Sequence, residues 1–516
     1  MCKRIIRRHG VRIIILFMVL VGFLAVPISA HAKQITSLYE LDGQKIGIVT
    51  GTIYDSIVKK ALPSAQIAYF NGTGDLIAAL EAGKIDGFPG DEPALQLMKR
   101  ENDNLTILDG YMDSFVFGAI FPKSDNGEKL CNEFNEWLDG FDKSGKLDAL
   151  IKKWIDSPES ELEPPDFKSL PATNGVLTMA SECGYAPFDY ISGDSPSGAE
   201  IDLAMQFCKD RGYGLKVAVM NFDGILPYVQ TEKANFSLSA ISETEERRQS
   251  VLFSDAYYTC GLVMAVKNEE AASAGSWWDR LMSSFRKTFI NENRWSLFVQ
   301  GILSTLFITL LSILFGTTLG FVVYLACRNG NRIANLITKF FLWLIKGMPV
   351  VVLLMILFYI IFGSFSINGA IVAVIGFTLT FGSAVFGMIK LGVATVDRGQ
   401  TEAAYALGHS NRHTFYNIVL PQALPHILPA FRDEVISLIK ATAVVGYIAV
   451  QDLTKVGDLI RSRTFEAFFP LIAITVFYFL LEALLGFLVG RIEFRFDPRR
   501  RSRRRIMKGV KTVDTH

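Results

Sequence analysis

The sequence contains no G-x-x-x-x-G-K-[ST] run, so the glycine-rich phosphate cradle of a P-loop nucleotide hydrolase is missing. Its six cysteines (Cys2, Cys131, Cys183, Cys208, Cys260 and Cys327) form no C-x-x-C pair, which leaves zinc and dithiol motifs without support, and no metal site is expected. Their spacing assigns no disulfide. Charge of one sign is not in excess either. The net charge is +1 over 516 residues, so nothing invites a nucleic-acid partner. Apolar residues, by contrast, are abundant. Half of the chain is hydrophobic and it carries 39 Phe, as expected of a protein partly in lipid, and the length suits two or three domains.

The chain opens with a basic start (Lys3, Arg4, Arg7, Arg8, Arg12), an apolar run from Ile13 to Val26, and the A-x-A sequence Ala30-His31-Ala32. Residues 1–32 therefore read as a signal peptide or N-terminal anchor, which places the chain from Lys33 onward outside the membrane. From Leu41 to Trp154, short strand-like runs (KIGIVTG, IAYF) alternate with helical ones (DSIVKKAL, GDLIAALEAGKIDG). A second such alternation runs from Gly175 to Lys267, with VLTMAS, LKVAVM, FSLSAI and LVMAVK as strands. Both predict an α/β sheet domain. A Pro-rich, acidic linker lies between them. Farther on, five apolar runs predict membrane spans at about Phe298–Tyr324, Leu336–Phe362, Ala370–Leu391, Ile427–Val450 and Ala467–Gly490. Basic exits at Arg328 and Arg332, at Arg398 and Arg412, and from Arg491 onward place those loops and the C-terminus in the cytoplasm. Trp277, Trp278, Phe285 and Trp295 suit a membrane interface just before the first span.

The polar stretch Glu402–Pro421 (EAAYALGHSNRHTFYNIVLP) interrupts the apolar runs. Glu402, Ala403 and Ala404 are expected to open a short helix whose small residues admit a partner's backbone. Gly408 permits a turn, and Pro421 is expected to stop the helix before the next span. Glu402, Ala403, Ala404 and Gly408, followed by Ile418, Leu420 and Pro421, resemble the EAA loop of ABC importer permeases. The run from about Phe298 to Glu493 is similar to permeases for polar amino acids of the histidine/glutamine type. It carries Lys346-Gly347-Met348-Pro349, Pro421-Gln422-Ala423-Leu424-Pro425 and Ser462-Arg463-Thr464-Phe465 in order. The resemblance implies that the EAA loop couples to an ATP-binding subunit dimer, that ATP stays on that separate subunit, and that this chain is not itself an enzyme. Half a pore implies a homodimer, with a heterodimer of permeases as the other assembly.

The two α/β segments resemble the solute-binding proteins of such importers, with the usual order changed. Leu41-Asp42-Gly43 and Thr50-Gly51-Thr52 look like the start of the second lobe. Phe117 to Lys123 looks like the return strand and Leu147 to Trp154 like the closing helix. Tyr185-Ala186-Pro187-Phe188, the usual opening of the first lobe, comes only afterwards. The expected fold is therefore a two-lobed periplasmic-binding-protein-like α/β domain in permuted lobe order, followed by an all-α five-helix transmembrane permease domain. The boundaries are 33–155 (second lobe and return), 156–173 (linker), 174–267 (first lobe), 268–296 (connector), 297–493 (permease) and 494–516 (basic tail). One interlobe crossing is expected to survive near Tyr111–Phe121, the other to be cut, and the first lobe to be the one tethered to the membrane.

A free amino acid brings a carboxylate and an ammonium, which need paired groups in place of water. Arg247 matches a carboxylate bidentately. It sits beyond FSLSAI, where Ser242 and Glu245 have the spacing of a capping box. By resemblance, Arg247 clamps the solute carboxylate with Ser242 and the backbone of Ala240, and Thr52 adds a donor from the second lobe. Asp91 pairs with the ammonium, Tyr185 and Phe222 sandwich the side chain, and Glu182 reads it. Gly90 and Glu182 depart from the common residues of that family, which leaves the amino acid open. Glu434, Lys440 and Glu482 are candidates for the translocation path, because charge at that depth faces protein or water. A ligand-gated or sensory membrane receptor with an amino-acid-binding ectodomain is the alternative function.

Overall fold

The computed structural model describes residues 35–496, apart from 103, 159–160, 269–276, 329, 331, 364, 366 and 467. The leader expected at 1–32 and nearly all of the basic tail lie outside the described residues. The α/β part begins β1 (Lys45–Val49), α1 (Tyr54–Ala61), β2 (Gln66–Phe70), α2 (Thr73–Glu81), β3 (Gly87–Asp91), α3 (Glu92–Glu101), β4 (Leu105–Ile107) and β5 (Asp113–Phe121). Two helices come next, α4 (Asp125–Lys143) and α5 (Lys146–Asp156). Beyond the linker come β6 (Val176–Ser181), a small β7–β8–β9 sheet (Gly184–Tyr185, Asp189–Ser192, Ser195–Ser197), α6 (Ala199–Arg211), β10 (Gly214–Val219), α7 (Phe222–Gln230), β11 (Phe236–Ser237), α8 (Glu245–Ser250) and β12 (Leu252–Lys267).

The strands form one sheet in the order β10-β6-β11-β5-β12-β3-β1-β2, with β4 also on β12. The β1/β2 and β10/β6 pairs at its two ends are parallel, and β5 and β12 run antiparallel through its middle. This order divides the domain into two lobes. One holds β1–β4, the other β6, β10 and β11 with α4 to α8. The indole of Trp137 donates to Asp210 (2.9 Å) and that of Trp154 to Asp202 (2.9 Å), which fastens α4 and α5 onto α6 of the first lobe although they precede it in the chain.

The middle strands correct the expected hinge. β12 pairs with β5 from Leu252 to Leu262 and with β3 from Leu262 to Val266. It therefore crosses between the lobes just as β5 does, and both crossings are covalent. The chain then leaves from the second lobe, where Lys267 pairs with Leu105 and the Asn268 N–H donates to the Asn104 carbonyl (2.7 Å). The tether is on the second lobe, not the first. Sequence segmentation ended the strand FSLSAI late and began LVMAVK late, because the pairing that lengthens β12 is made with strands remote in sequence.

The helical part runs α9 (Trp277–Phe285), α10 (Trp295–Arg328), α11 (Arg332–Gly347), α12 (Val350–Met355), α13 (Gly369–Ala394), α14 (Arg398–Ala406), α15 (Asn411–His413), α16 (Leu420–Ala441), α17 (Leu453–Thr464) and α18 (Phe468–Phe496). Among the described residues, α10, α13 and α18 are each long and apolar enough to cross a membrane. The expected second span is instead a broken one. α11 and the helix starting at Val350 meet at 111°, where Pro349 supplies no N–H to continue the ladder. α16 reaches only part of the fourth expected span, as far as Ala441, and carries Arg432, Asp433, Glu434 and Lys440. It is not among the helices apolar enough to cross, so among the described residues three of the five expected spans, or four with the broken pair, qualify. Small residues set the closest packing. A Cβ on Gly320 would lie 2.6 Å from the Gly382 carbonyl, so α10 and α13 touch backbone to backbone at a small-residue seam.

The two parts are locked together through the connector. The Glu292 carboxylate binds Arg294 (2.8 Å), Arg463 (3.0 Å) and the Gly193 N–H (3.2 Å), joining the β8–β9 turn to α17. Arg294 and Arg463 are almost wholly buried. Replacing Glu292 with Ala takes a partner from two buried guanidinium groups, which should cost about 3–5 kcal/mol. The thermal unfolding midpoint of the full chain in detergent should fall accordingly, and fall less in Glu292→Gln.

Candidate functional site

The cleft between the lobes encloses a narrow cavity of about 40 Å³. Of the residues expected to bind solute, Thr52, Glu182, Tyr185, Phe222, Ala240, Ser242 and Arg247 all line it, drawn from both lobes. Asp91 does not. It is fully buried just behind the lining residues Pro89 and Gly90. Its Oδ1 accepts from the Tyr54 hydroxyl (2.9 Å), and its own N–H donates to the Tyr185 hydroxyl (3.1 Å). Oδ2 is buried without a partner. Burial pushes the Asp91 carboxyl up to about 6, with the nearby Tyr185 and Tyr54 hydroxyls opposing. Tyr54 went unrecognised in the sequence, since a tyrosine opening an amphipathic helix looks like core.

Arg247 spans the cleft. Nη1 donates to the Ser242 carbonyl (2.7 Å) in one lobe and Nη2 to the Gly51 carbonyl (2.8 Å) in the other. Its guanidinium lies 5.9 Å from the centre of the Phe222 ring. The capping box expected of Ser242 and Glu245 is not formed. The N-cap is Thr244, whose hydroxyl accepts from the Arg247 N–H (3.1 Å), and α8 is only six residues long. Thr244 wins because it directly precedes the helix, while Ser242 contributes its carbonyl to Arg247. Ala240 has a positive φ of 47°, and its N–H is taken by Glu200 Oε1 (2.8 Å), so only its carbonyl remains for a solute. Thr52 Oγ1 donates to the Val49 carbonyl (2.8 Å).

Glu182 lies between the cleft and a second cavity of about 330 Å³, which opens toward α17. No hydrogen bond reaches its carboxylate among the described residues. Burial pushes it up to about 7, with the Lys455 ammonium opposing. α17 itself was read from the sequence only as a motif, through Arg463. Its buried cations Lys455 and Arg461 left no sequence signal, because their partners are in the α/β domain. Lys455 Nζ donates to the Met220 carbonyl (3.1 Å) and to Asn221 Oδ1 (2.8 Å) in the first lobe, while Arg461 pairs with Asp75 in the second.

At the other end of the bundle, Glu402, Ala403 and Ala404 sit inside α14 and do not open it. The helix starts at Arg398, capped by Asp397. Gly408 has the positive φ (80°) expected of the turn. Pro421 does not end a helix. The chain is already helical from Asn411 through Val419 and continues without a break into α16, so Pro421, beside Leu420, lies inside a continuing helix. Arg328, at the end of α10, bonds to Asn411 and stacks over Phe415 at 4.1 Å, tying a span to this stretch. Lys440 and Glu482 form an ion pair (2.9 Å) between α16 and α18, whereas Glu434 joins no ion pair among the described residues. All five cysteines that are described are buried and free.

An α/β domain with a two-lobed cleft, fused ahead of a helical membrane bundle, is the architecture these elements define. Residues 312–502 match the family model of the binding-protein-dependent transport system inner membrane component. A putative glutamine transport system permease protein of Rickettsia bellii is 33% identical over 199 residues, which is 38% of this chain and 90% of that protein. An L-cystine transport system permease protein of Bacillus subtilis is 34% identical over 35% of this chain and 79% of its own length. The glutamine transport system permease protein of Escherichia coli is 30% identical over 39% and 92%. A crystal structure of an amino acid ABC transporter with histidines shares 26% identity over 43% of this chain and 99% of its own, with a TM-score of 0.37. The chain belongs to this family of inner-membrane transport components, and its membrane half is an amino acid ABC transporter permease by homology.

The raised Glu182 carboxyl gives a pH dependence with a definite sign. As pH rises through about 7 it deprotonates and the cleft gains a negative charge. Binding of a cationic probe, L-arginine, should tighten by roughly tenfold between about pH 6 and pH 8. Calorimetric titration of wild type and Glu182→Gln checks this, since the variant should lose the difference.

Proposed function

We propose that this chain is the membrane subunit of an ATP-driven importer that captures a polar amino acid with its own fused binding domain and passes it through its transmembrane helices. The observation that carries the reading is Arg247, a half-buried guanidinium held between the lobes in a cleft also lined by Tyr185, Phe222, Ser242, Thr52 and Glu182. In this reading the solute carboxylate binds Arg247 with Ser242, and Thr52 joins by turning its hydroxyl away from the Val49 carbonyl. The solute ammonium takes the Ala240 carbonyl, with the Asp91 carboxylate acting through its charge from behind Pro89 and Gly90, the solute side chain lies between Tyr185 and Phe222, and Glu182 tilts the choice toward a solute bearing a donor. The two-lobed domain is a circularly permuted solute-binding domain, whose closing helices α4 and α5 precede the first lobe they cover. Its position outside the membrane, with the C-terminus inside, is inferred from the basic exits.

The same reading makes the stretch from Glu402 through Ala403, Ala404, Gly408, Ile418 and Leu420 to Pro421 the contact with a separate ATP-binding dimer. Ala404 is buried while Glu402 and Ala403 stay exposed on the far end of the bundle, available to a partner. Two copies of the chain form the pore, and the Lys440–Glu482 pair, with Glu434, lines the path. Support for amino acids as cargo comes from the glutamine and cystine permeases that the membrane half resembles.

A thermal-shift screen of the full chain in detergent against the common amino acids tests this. Binding to the folded state raises the midpoint by mass action. One or a few polar amino acids should shift it. Arg247→Ala should lose the shift, because removing one member of a buried charge pair costs about 2–5 kcal/mol of binding. A folded wild type that no amino acid shifts would refute the proposal.

A further inference from the structure

Docking of α17 beneath the α/β domain leaves the larger cavity at the junction, and its walls come from three places. Asp75 belongs to the second lobe, Glu182 and Asn221 to the first, and Lys455, Asp458 and Arg461 to α17. Glu182 lines the cleft as well, so the two cavities share a wall. The chamber carries both signs of charge, and not all of that charge is used up. Arg461 gives Nη1 to Asp458 (3.0 Å) and Nη2 to Asp75, but its buried Nε has no partner. Asp458 spends Oδ1 on Arg461, and the Glu182 carboxylate accepts no hydrogen bond among the described residues. The Lys455 ammonium spends two of its three N–H groups, on Met220 and Asn221, so a spare ammonium N–H and an unbonded carboxylate line one chamber, the two things a zwitterion pairs with.

We propose that this chamber is a second amino-acid site, separate from the cleft, in which Arg461 and Lys455 face the solute carboxylate and Glu182 and Asp458 its ammonium. The inference rests on the transport reading above. At about 330 Å³ the chamber is far roomier than the cleft, so it holds the solute more loosely, as a stage between capture and the membrane requires. Ala443, Gly446 and Tyr447 also line it, from the segment Thr442–Ile448 that directly continues α16, so the chamber abuts the end of that helix just beyond Lys440.

Equilibrium binding of radiolabelled L-glutamine to the full chain in lipid nanodiscs tests this. Wild type should show two components, one tight and one weak. Arg247→Ala should remove the tight one. Gly446→Leu fills the chamber at a point where a Cβ meets only ordinary contacts, 3.8 Å from Lys455 and 3.9 Å from Asn221, so the fold tolerates it. It should weaken the weak component more than tenfold and spare the tight one. Asp458→Asn, which keeps the shape and removes the charge, should do the same. Absence of a weak component in wild type, or its persistence unchanged in both variants, overturns the chamber site. A tight component that survives Arg247→Ala counts instead against the cleft reading and leaves the chamber standing.

Discussion

A guanidinium or ammonium withdrawn from water must find a partner, and on α17 each buried cation takes at least one from outside the membrane bundle. Lys455 reaches the first lobe, Arg461 the second, and Arg463 both the connector at Glu292 and the second-lobe Glu101 (3.6 Å), while stacking on Tyr190 at 4.7 Å. One twelve-residue helix therefore holds both halves of the cleft at once. Separating the α/β domain from the bundle would strand these charges, so the relation between cleft and membrane is fixed by electrostatics and not by a flexible leash.

The other end of the same helix carries that constraint into the spans. Asp452 caps it through the N–H groups of Thr454 and Lys455 and accepts from the Tyr478 hydroxyl of α18 (3.1 Å). The Leu453 N–H donates to Thr305 of α10 (3.2 Å). α10 in turn runs the length of the bundle to Arg328, which grips the stretch after Gly408. A chain of direct bonds thus connects the lobes to the far face. Because the packing between α10 and α13 leaves no room for even a methyl group at Gly320, these spans move as bodies if they move at all.

Much of this was legible in the sequence, and what escaped shares one cause. The alternation of strand and helix and the turn at Gly408 are local patterns, and local patterns survive without coordinates, whereas the residues expected in the cleft came from the resemblance to solute-binding proteins. The length of β12 is not local, since its first half, which escaped the sequence, pairs with β5, more than a hundred residues away. Nor is the burial of Lys455 and Arg461, whose partners are more than two hundred residues away. Boundaries failed where two neighbours competed for one role, as when Thr244 displaced Ser242 as cap, or where a proline was read as a stop and proved to lie inside a continuing helix, at Pro421. The bend at Pro349 was missed because apolar composition alone cannot distinguish a straight span from a broken one.

The central claim is that a single chain both captures an amino acid and conducts it. Uptake of radiolabelled L-glutamine and L-cystine in cells that depend on this chain tests it most directly, comparing wild type with Arg247→Ala at equal amounts in the membrane. The account predicts that wild type restores uptake and that Arg247→Ala, with an unaltered membrane half, does not. Equal uptake by the two would mean that the cleft does not feed the permease, and would contradict it.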